Sequence, residues 1–198
     1  MKFKETIKIF FLVIAIILIN SKLFANPKDF ISKLTADASK VLASNASKDE
    51  KMSMLVDLAE QNVDINGIGM YTLGKYRKTL NENQIKEYKI LFREYFLKSF
   101  SSRLSEYTDP KIDVLSEEVI NNKYTIVFSV LEADEKRPEI KINWRVYTIN
   151  PEKLLVRDLI IEGLSLARTQ REEFNSVIQN GDGDIQVLFS NLRNFIEK

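Results

Sequence analysis

The chain of 198 residues contains no histidine and no cysteine. A Ser-His-Asp triad needs an imidazole, and a cysteine nucleophile or a disulfide needs a thiol, so all three are excluded. The usual nitrogen and sulfur ligands of zinc are missing as well. Only six glycines and four prolines are present, which leaves no Gly- or Pro-rich linker to divide the chain. The groups that remain available for function are carboxylates, hydroxyls, cationic side chains and apolar surfaces.

The first 25 residues have the layout of a secretory signal peptide. Lysines at positions 2, 4 and 8 precede the uninterrupted apolar run Ile9–Ile19, and Ala25 offers a small residue for cleavage. The apolar run is too short to span a bilayer comfortably, although an uncleaved membrane anchor is the alternative interpretation. We therefore predict a signal peptide over residues 1–25 and a single domain over residues 26–198, exported to the periplasm of a two-membrane bacterium.

The charge of the mature chain argues against a nucleic-acid partner. Removing four lysines and one glutamate with the signal segment leaves a formal charge of −2, from 29 basic and 28 acidic residues in the whole chain. Nucleic-acid binding needs a basic face, which such a balance does not favour.

Two short motifs resemble functional sites but lack residues that those sites require. Gly163-Leu164-Ser165-Leu166-Ala167 comes close to a serine-hydrolase nucleophile elbow, but the chain has no histidine to activate Ser165. We therefore predict that Ser165 is a turn residue. The sequence NGDGD at 180–184 hints at a calcium loop, but it lacks the glycine and the final glutamate that such a loop requires. We expect Gly181 to end one helix and Asp184 to begin the next.

Hydrophobic periodicity predicts an α+β domain. Helical spacing covers 27–44, a stretch near Asp49, a glycine-broken stretch over 62–76, and a long aromatic helix over 82–107. Alternating patterns predict about four antiparallel strands at 111–120, 124–133, 140–148 and 154–161. After them, Thr169 and Glu172 form a capping-box pattern for one helix, and Asp184 precedes the last helix. One apolar face of the sheet needs helices to cover it.

The order of these motifs resembles the MlaC family, also called the toluene-tolerance auxiliary proteins. The first signature combines Asp64, the segment Leu73-Gly74-x-Tyr76-Arg77, Gln84 and the aromatic helix. The second runs through Asp158-x-x-Ile161-Glu162-Gly163-x-Ser165-Leu166 to Arg171 and Phe174, and ends at Gly183-Asp184.

The resemblance implies a fold similar to nuclear transport factor 2 (NTF2-like), in which a twisted antiparallel sheet and helices enclose an apolar lipid pocket. It also implies a periplasmic, monomeric, non-enzymatic phospholipid carrier that serves an ABC transporter. Such a carrier shuttles lipids between the outer and inner membranes and maintains outer-membrane lipid asymmetry. The implied partners are the transporter's inner-membrane lipid-binding ring and an outer-membrane lipoprotein complex, with phospholipid as cargo and neither cofactor nor metal. The residues compatible with such a pocket include one alternating face of the sheet, and the full set of candidates is Phe92, Phe96 and Phe100 of the aromatic helix, Ile126, Phe128, Val130, Ile142, Trp144 and Val146 of that sheet face, and Leu164.

Two other functions stay open at this point. An NTF2-like enzyme acting on a small apolar substrate could use Asp158 and Glu162 as polar groups in its pocket. A periplasmic chaperone or adaptor could instead bind exposed apolar protein segments.

Overall fold

The computed structural model of the protein describes residues 26–135 and 137–198, and the predicted signal segment 1–25 lies outside them. Within the described residues the helices are α1 (Pro27–Ala43), α2 (Lys48–Asn62), α3 (Ile65–Thr72), α4 (Glu82–Leu104), α5 (Leu166–Asn180) and α6 (Ile185–Glu197), with a 3-10 turn at Tyr76–Lys78. The strands are β1 (Ile112–Asn121), β2 (Tyr124–Leu131), β3 (Ile140–Tyr147), β4 (Leu155–Ile161) and β5 (Leu164–Ser165).

The strands form one antiparallel sheet in chain order, β1-β2-β3-β4-β5. Short turns account for this order: Asn121 Oδ1 accepts from the backbone N–H of Lys123 and Tyr124 between β1 and β2. Glu162 and Gly163, with φ of 48° and 83°, make the turn from β4 into β5. The predicted α+β fold with an antiparallel sheet is confirmed, and the sheet carries a fifth strand of two residues.

Polar side chains fix where the helices begin. Ser47 with Glu50 and Asn81 with Gln84 form capping boxes at α2 and α4, so the long aromatic helix starts where its pattern predicts. It ends at Leu104, three residues before the predicted end. As expected, Gly181 ends α5 and Asp184 caps α6.

The predicted start of α5 is wrong. The helix begins at Leu166, because Ser165 Oγ accepts a hydrogen bond of 3.1 Å from the backbone N–H of Arg168 and so acts as the N-cap. Thr169 already lies inside the helix, where its hydroxyl donates to the carbonyl of Ser165. Its apparent capping box with Glu172 is therefore not used.

The apolar core is divided into two clusters. The helical cluster joins buried side chains of α2 to α6, including Tyr88, Phe92, Phe174, Ile178 and Phe189. The sheet cluster contains Ile31 of α1 together with Val127, Val146, Leu154 and Val156. Helix α1 therefore covers one face of the sheet, which we call the α1 face.

Strand β4 connects the helices to the sheet through polar contacts. The backbone N–H of Asp64 donates to the carbonyl of Val156 at 2.9 Å, and the Asp64 carboxylate caps α3 by accepting from the N–H of Gly67 at 2.8 Å. The same carboxylate forms an ion pair with Arg157, whose guanidinium also lies 4.7 Å from the centre of the Tyr147 ring. One aspartate thus begins a helix and holds it to β4.

None of the helices in the described part of the chain is long and apolar enough to cross a membrane.

We expect Gly67→Ala to lower the free energy of unfolding. A Cβ at Gly67 would lie 2.5 Å from both Arg157 Cζ and Asp64 Oδ2, so both charged side chains would have to shift. This steric cost should outweigh the gain in helix propensity and leave a net loss of about 1–3 kcal/mol. Urea denaturation would measure the loss. The control is Asn66→Ala, at the exposed neighbouring helical position, which should stay near the wild-type value or rise slightly; equal effects of the two changes would contradict the prediction.

Candidate functional site

The long helix α4 places the three predicted phenylalanines in two different settings. Phe92 is 2% exposed, and its ring lies 5.7 Å from that of Tyr88 and 6.3 Å from that of Phe174. It also fills the space above Gly69, where a Cβ would lie 2.7 Å from Phe92 Cδ1. Phe92 therefore belongs to the close-packed interior of the helical cluster.

Phe96 and Phe100 lie at the margin of that cluster. Both are half-buried, and their rings stack with centres 5.8 Å apart and planes 8° apart. The helix end that follows them approaches the β2–β3 loop, since Arg137 Cζ lies 4.2 Å from the centre of the Tyr107 ring. This stacked pair forms an apolar surface on the side of α4 that the cluster does not fully bury.

The sheet register separates the six predicted strand residues. Phe128 pairs with Asn143, whereas Trp144 pairs with Val127 on the α1 face, and paired side chains point to the same face. Ile142, Trp144 and Val146 therefore lie on the α1 face, where the Trp144 indole N–H donates to Ser129 Oγ at 2.9 Å. The residues Ile126, Phe128 and Val130 lie on the opposite face, which we call the second face.

The interpretation that these six residues share one sheet face is therefore wrong. Alternation within a strand defines two sets of side chains, but it does not say which set of the next strand lies beside them. The α1 face is filled by Val146 and its neighbours in the sheet cluster. The role of Ile142, Trp144 and Val146 in lipid binding stays a prediction, although the register assigns these three residues to the face that α1 already covers.

The second face carries an apolar row. Ile126 is 8% exposed, Phe128 and Val130 are half-buried, and all three stand outside both core clusters. Polar residues flank the row, with Asn143 and Arg145 beside it on β3. Such an arrangement, an apolar row with polar groups beside it, suits a ligand with a long apolar part and a polar end.

The helical cluster lies on this same side of the sheet. Asp158 pairs with Arg145, which pairs with Ile126, so Asp158 belongs to the second face. Its Oδ1 accepts from the backbone N–H of Ala167, a member of the helical cluster, at 3.0 Å. The start of α5 therefore attaches the helical cluster to the sheet from the second face.

The side chain of Leu164 is largely exposed to solvent. This residue lies on the two-residue strand β5, next to the Glu162–Gly163 turn, and its side chain is 69% exposed. The structure therefore does not bring it together with the aromatic residues of α4, and its predicted contact with lipid stays a prediction.

Ser165 and Arg145 surround the buried carboxylate of Asp158 in a polar cluster. Asp158 is 3% exposed; Ser165 Oγ donates to its Oδ2 at 2.6 Å, and Arg145 Nη1 lies 3.3 Å from the same oxygen. Ser165 Oγ also accepts from Arg168, so its hydroxyl is fully engaged in starting α5. The geometry is that of a helix cap tied to a strand, whereas the turn that the sequence predicts at Ser165 lies at Glu162 and Gly163.

Two tyrosines of the helical cluster have raised pKa values. Burial raises the pKa of Tyr88, whose hydroxyl lies 2.7 Å from Thr72 Oγ1. Burial, together with the nearby Glu173 carboxylate, also raises the pKa of Tyr95. Both phenols stay neutral near pH 7 and act as packing and hydrogen-bonding groups. Across residues 26–135 and 137–198, acidic side chains do not gather into a cluster that could hold a metal ion.

Two open clefts lie elsewhere on the surface. One of about 500 Å³ runs between α1 and the start of β1, and one of about 410 Å³ lies between α3 and α5. Neither is lined by any of the ten predicted pocket residues. The second, which carries Lys75, Arg168 and Arg171, was missed by sequence reasoning, and the spacing of the two arginines on one helix is the signal that could have found it.

An antiparallel sheet with helix α1 against one face, and with a helical cluster attached along β4, defines the described part of the chain as an α+β fold. The family model described as MlaC protein matches residues 29–194. The chain belongs to the MlaC family.

A solved structure supports the fold independently. A phospholipid-binding protein from Ralstonia solanacearum, determined in complex with a phospholipid, superimposes with a TM-score of 0.73 at 15% sequence identity. The alignment covers 87% of this chain and 98% of that one. Comparison with curated proteins gives no match.

We expect Asp158→Ala to destabilise the protein by about 3 kcal/mol, because it leaves the buried Ala167 N–H and the Ser165 hydroxyl without their acceptor. The matched control is Asp184→Ala, which removes an exposed helix cap and should cost only about 1 kcal/mol. Thermal and urea unfolding of both variants would measure the difference. A loss for Asp158→Ala no larger than that for Asp184→Ala would show that the buried cluster does not hold α5 to the sheet.

Proposed function

We propose that this protein is a periplasmic phospholipid carrier that moves lipids between the outer and inner membranes and so maintains outer-membrane lipid asymmetry. Membership of the MlaC family and the phospholipid bound by the Ralstonia solanacearum protein support a binding or transport role rather than catalysis. The observation that carries the proposal is the apolar row Ile126, Phe128 and Val130, which lies outside both core clusters and whose last two side chains are half-buried.

The acyl chains would lie between this row and the stacked Phe96–Phe100 pair. Apart from Ile126, the side chains of both surfaces are only partly buried by protein atoms. Apolar chains inserted there would remove the remaining exposed area from water, which is the main source of affinity for such a ligand. The head group would stay near the polar side chains that flank the row.

The energetics favour delivery by direct contact. A two-tailed lipid buries roughly thirty methylenes at about 0.8 kcal/mol each, a gross gain of about 25 kcal/mol before ordering costs. Release into water would then be far too slow for transport. We therefore propose that the carrier docks onto an outer-membrane lipoprotein complex and onto the inner-membrane lipid-binding ring of an ABC transporter, where chains pass from one apolar site to another.

The remaining properties follow from this role. The N-terminal segment over residues 1–25 would direct export and be removed, and the mature domain over residues 26–198 would act as a monomer. Phospholipid would be its cargo, and the transfer requires no cofactor on this subunit because moving a lipid between apolar sites breaks no covalent bond.

We expect the mature protein (Asn26 to Lys198), purified without detergent, to carry phospholipid. Native mass spectrometry should show adducts of phospholipid mass that disappear on denaturation, and an organic extract should contain the lipid. Phe128→Asp and Val130→Asp should lower lipid occupancy about tenfold or more, because a carboxylate would have to be buried against the acyl chains.

The matched control is Val119→Asp, which adds the same charge to a neighbouring strand at a side chain that is 71% exposed. It should leave occupancy unchanged, and circular dichroism would verify that all variants fold. A protein of bare mass that gains no lipid from liposomes would overturn the proposed function. Equal occupancy in Phe128→Asp and Val119→Asp would move the acyl chains away from the second face.

The single tryptophan reports on which face the lipid uses. Trp144 lies on the α1 face and is hydrogen-bonded to Ser129, so acyl chains on the second face should not change its surroundings. We expect the fluorescence emission maximum of Trp144 to be the same in lipid-loaded and delipidated protein. A blue shift on loading would instead assign the acyl chains to the α1 side of the sheet.

A further inference from the structure

The cleft of about 410 Å³ between the end of α3 and the outer side of α5 is rich in cations. Tyr71, Gly74 and Lys75 line it from one side, and Arg168, Arg171 and Glu172 line it from α5. The α5 residues are spaced by three and four positions, so they project from one face of the helix. The cleft is distinct from the apolar row on the sheet, since none of its residues belongs to that row.

Arg171 is exposed and packs against the exposed ring of Tyr71. Its guanidinium carbon lies 5.2 Å from the centre of that ring, a cation–π contact that favours one orientation of the group. Its Nε passes close to Gly74, where a Cβ would lie only 3.0 Å away. Gly74 also has a φ of 56°, which favours glycine. The turn after α3 therefore leaves room for this arginine to line the cleft.

The positive charge in the cleft is only partly neutralised. Arg168 is paired with Glu172 at 2.9 Å. Among the residues that the structure describes, no carboxylate lies within ion-pair distance of Arg171 or Lys75. Asn175 and Gln179, one and two turns further along α5, add amide N–H donors to the wall. The cleft thus offers several donors and an excess of positive charge.

We propose that this cleft binds a phosphate group. A planar guanidinium that lacks a carboxylate partner can donate two parallel hydrogen bonds to phosphate oxygens, and a nearby ammonium adds a point charge. Phosphate carries more charge and more acceptor oxygens than a carboxylate, which matches two unpaired cations and two amides. The group could come from free phosphate or from an anionic lipid head group at a bilayer surface. The proposal does not depend on acyl-chain binding.

The first test uses delipidated mature protein and inorganic phosphate. Titration followed by the NMR signals of arginine side chains should show saturable shifts of Arg171. Arg171→Gln and Lys75→Gln should each weaken binding about tenfold, the loss of one charge-assisted contact. The controls are Arg77→Gln and Lys78→Gln, exposed cations of the adjoining 3-10 turn that do not line the cleft. They should leave the affinity unchanged.

The second arm separates the two sources of phosphate. Vesicles of phosphatidylglycerol, compared with vesicles of phosphatidylcholine, would be tested for cosedimentation of the same variants. Saturable binding of inorganic phosphate that Arg171→Gln weakens supports a site for soluble phosphate. Binding restricted to phosphatidylglycerol vesicles, with the same dependence on Arg171, supports a head-group site.

Three outcomes overturn the proposal: binding of neither probe, equal weakening by Arg77→Gln and Arg171→Gln, or preference for an acidic peptide over phosphate. The last would make the cleft a docking point for a protein partner. These titrations use delipidated protein, so absence of phosphate binding would leave the mass-spectrometric test of lipid cargo unaffected. Absence of lipid cargo would likewise leave the phosphate titration unaffected.

Discussion

The arrangement of the whole protein depends on two carboxylates beside strand β4. Asp64 caps α3 and pairs with Arg157 of the strand, while Asp158 of the strand accepts from Ser165 and Ala167 where α5 begins. Each carboxylate satisfies N–H groups that a helix start would otherwise leave unpaired and also fixes that helix against the sheet. The helical layer is thus positioned by directional polar bonds.

This mode of attachment has a consequence for apolar packing. Because polar bonds hold the helices to the sheet along β4, the apolar side chains do not have to merge into one core. They form the helical cluster and the sheet cluster, and Val63 packs against both. Away from β4, the Phe96–Phe100 pair and the Phe128–Val130 part of the second face are left half-buried. A protein selected only for stability would bury such surfaces against each other, whereas the proposed carrier role requires them to be available for cargo.

Sequence reasoning succeeded where the signal is local. The stripe of α4, the alternation of the strands and the cap at Asp184 all depend on neighbours within a few residues, and they predicted the elements and the α+β class. Sequence reasoning failed where a residue's position depends on contacts with residues that are distant along the chain. The faces of Phe128 and Trp144 depend on the register between two strands. The start of α5 depends on Asp158, seven residues from Ser165, rather than on the local capping box at Thr169.

The same distinction explains why the segment around Ser165 resembles a hydrolase motif without its chemistry. A nucleophile elbow and a helix cap both require a strand, a tight turn with a positive φ and a helix start, so the local sequence is similar. What separates them is the partner of the hydroxyl. In this protein Ser165 donates to a buried carboxylate that is already engaged by Ala167 and Arg145, and accepts from Arg168. The hydroxyl of Ser165 is therefore used to join strand β4 to helix α5.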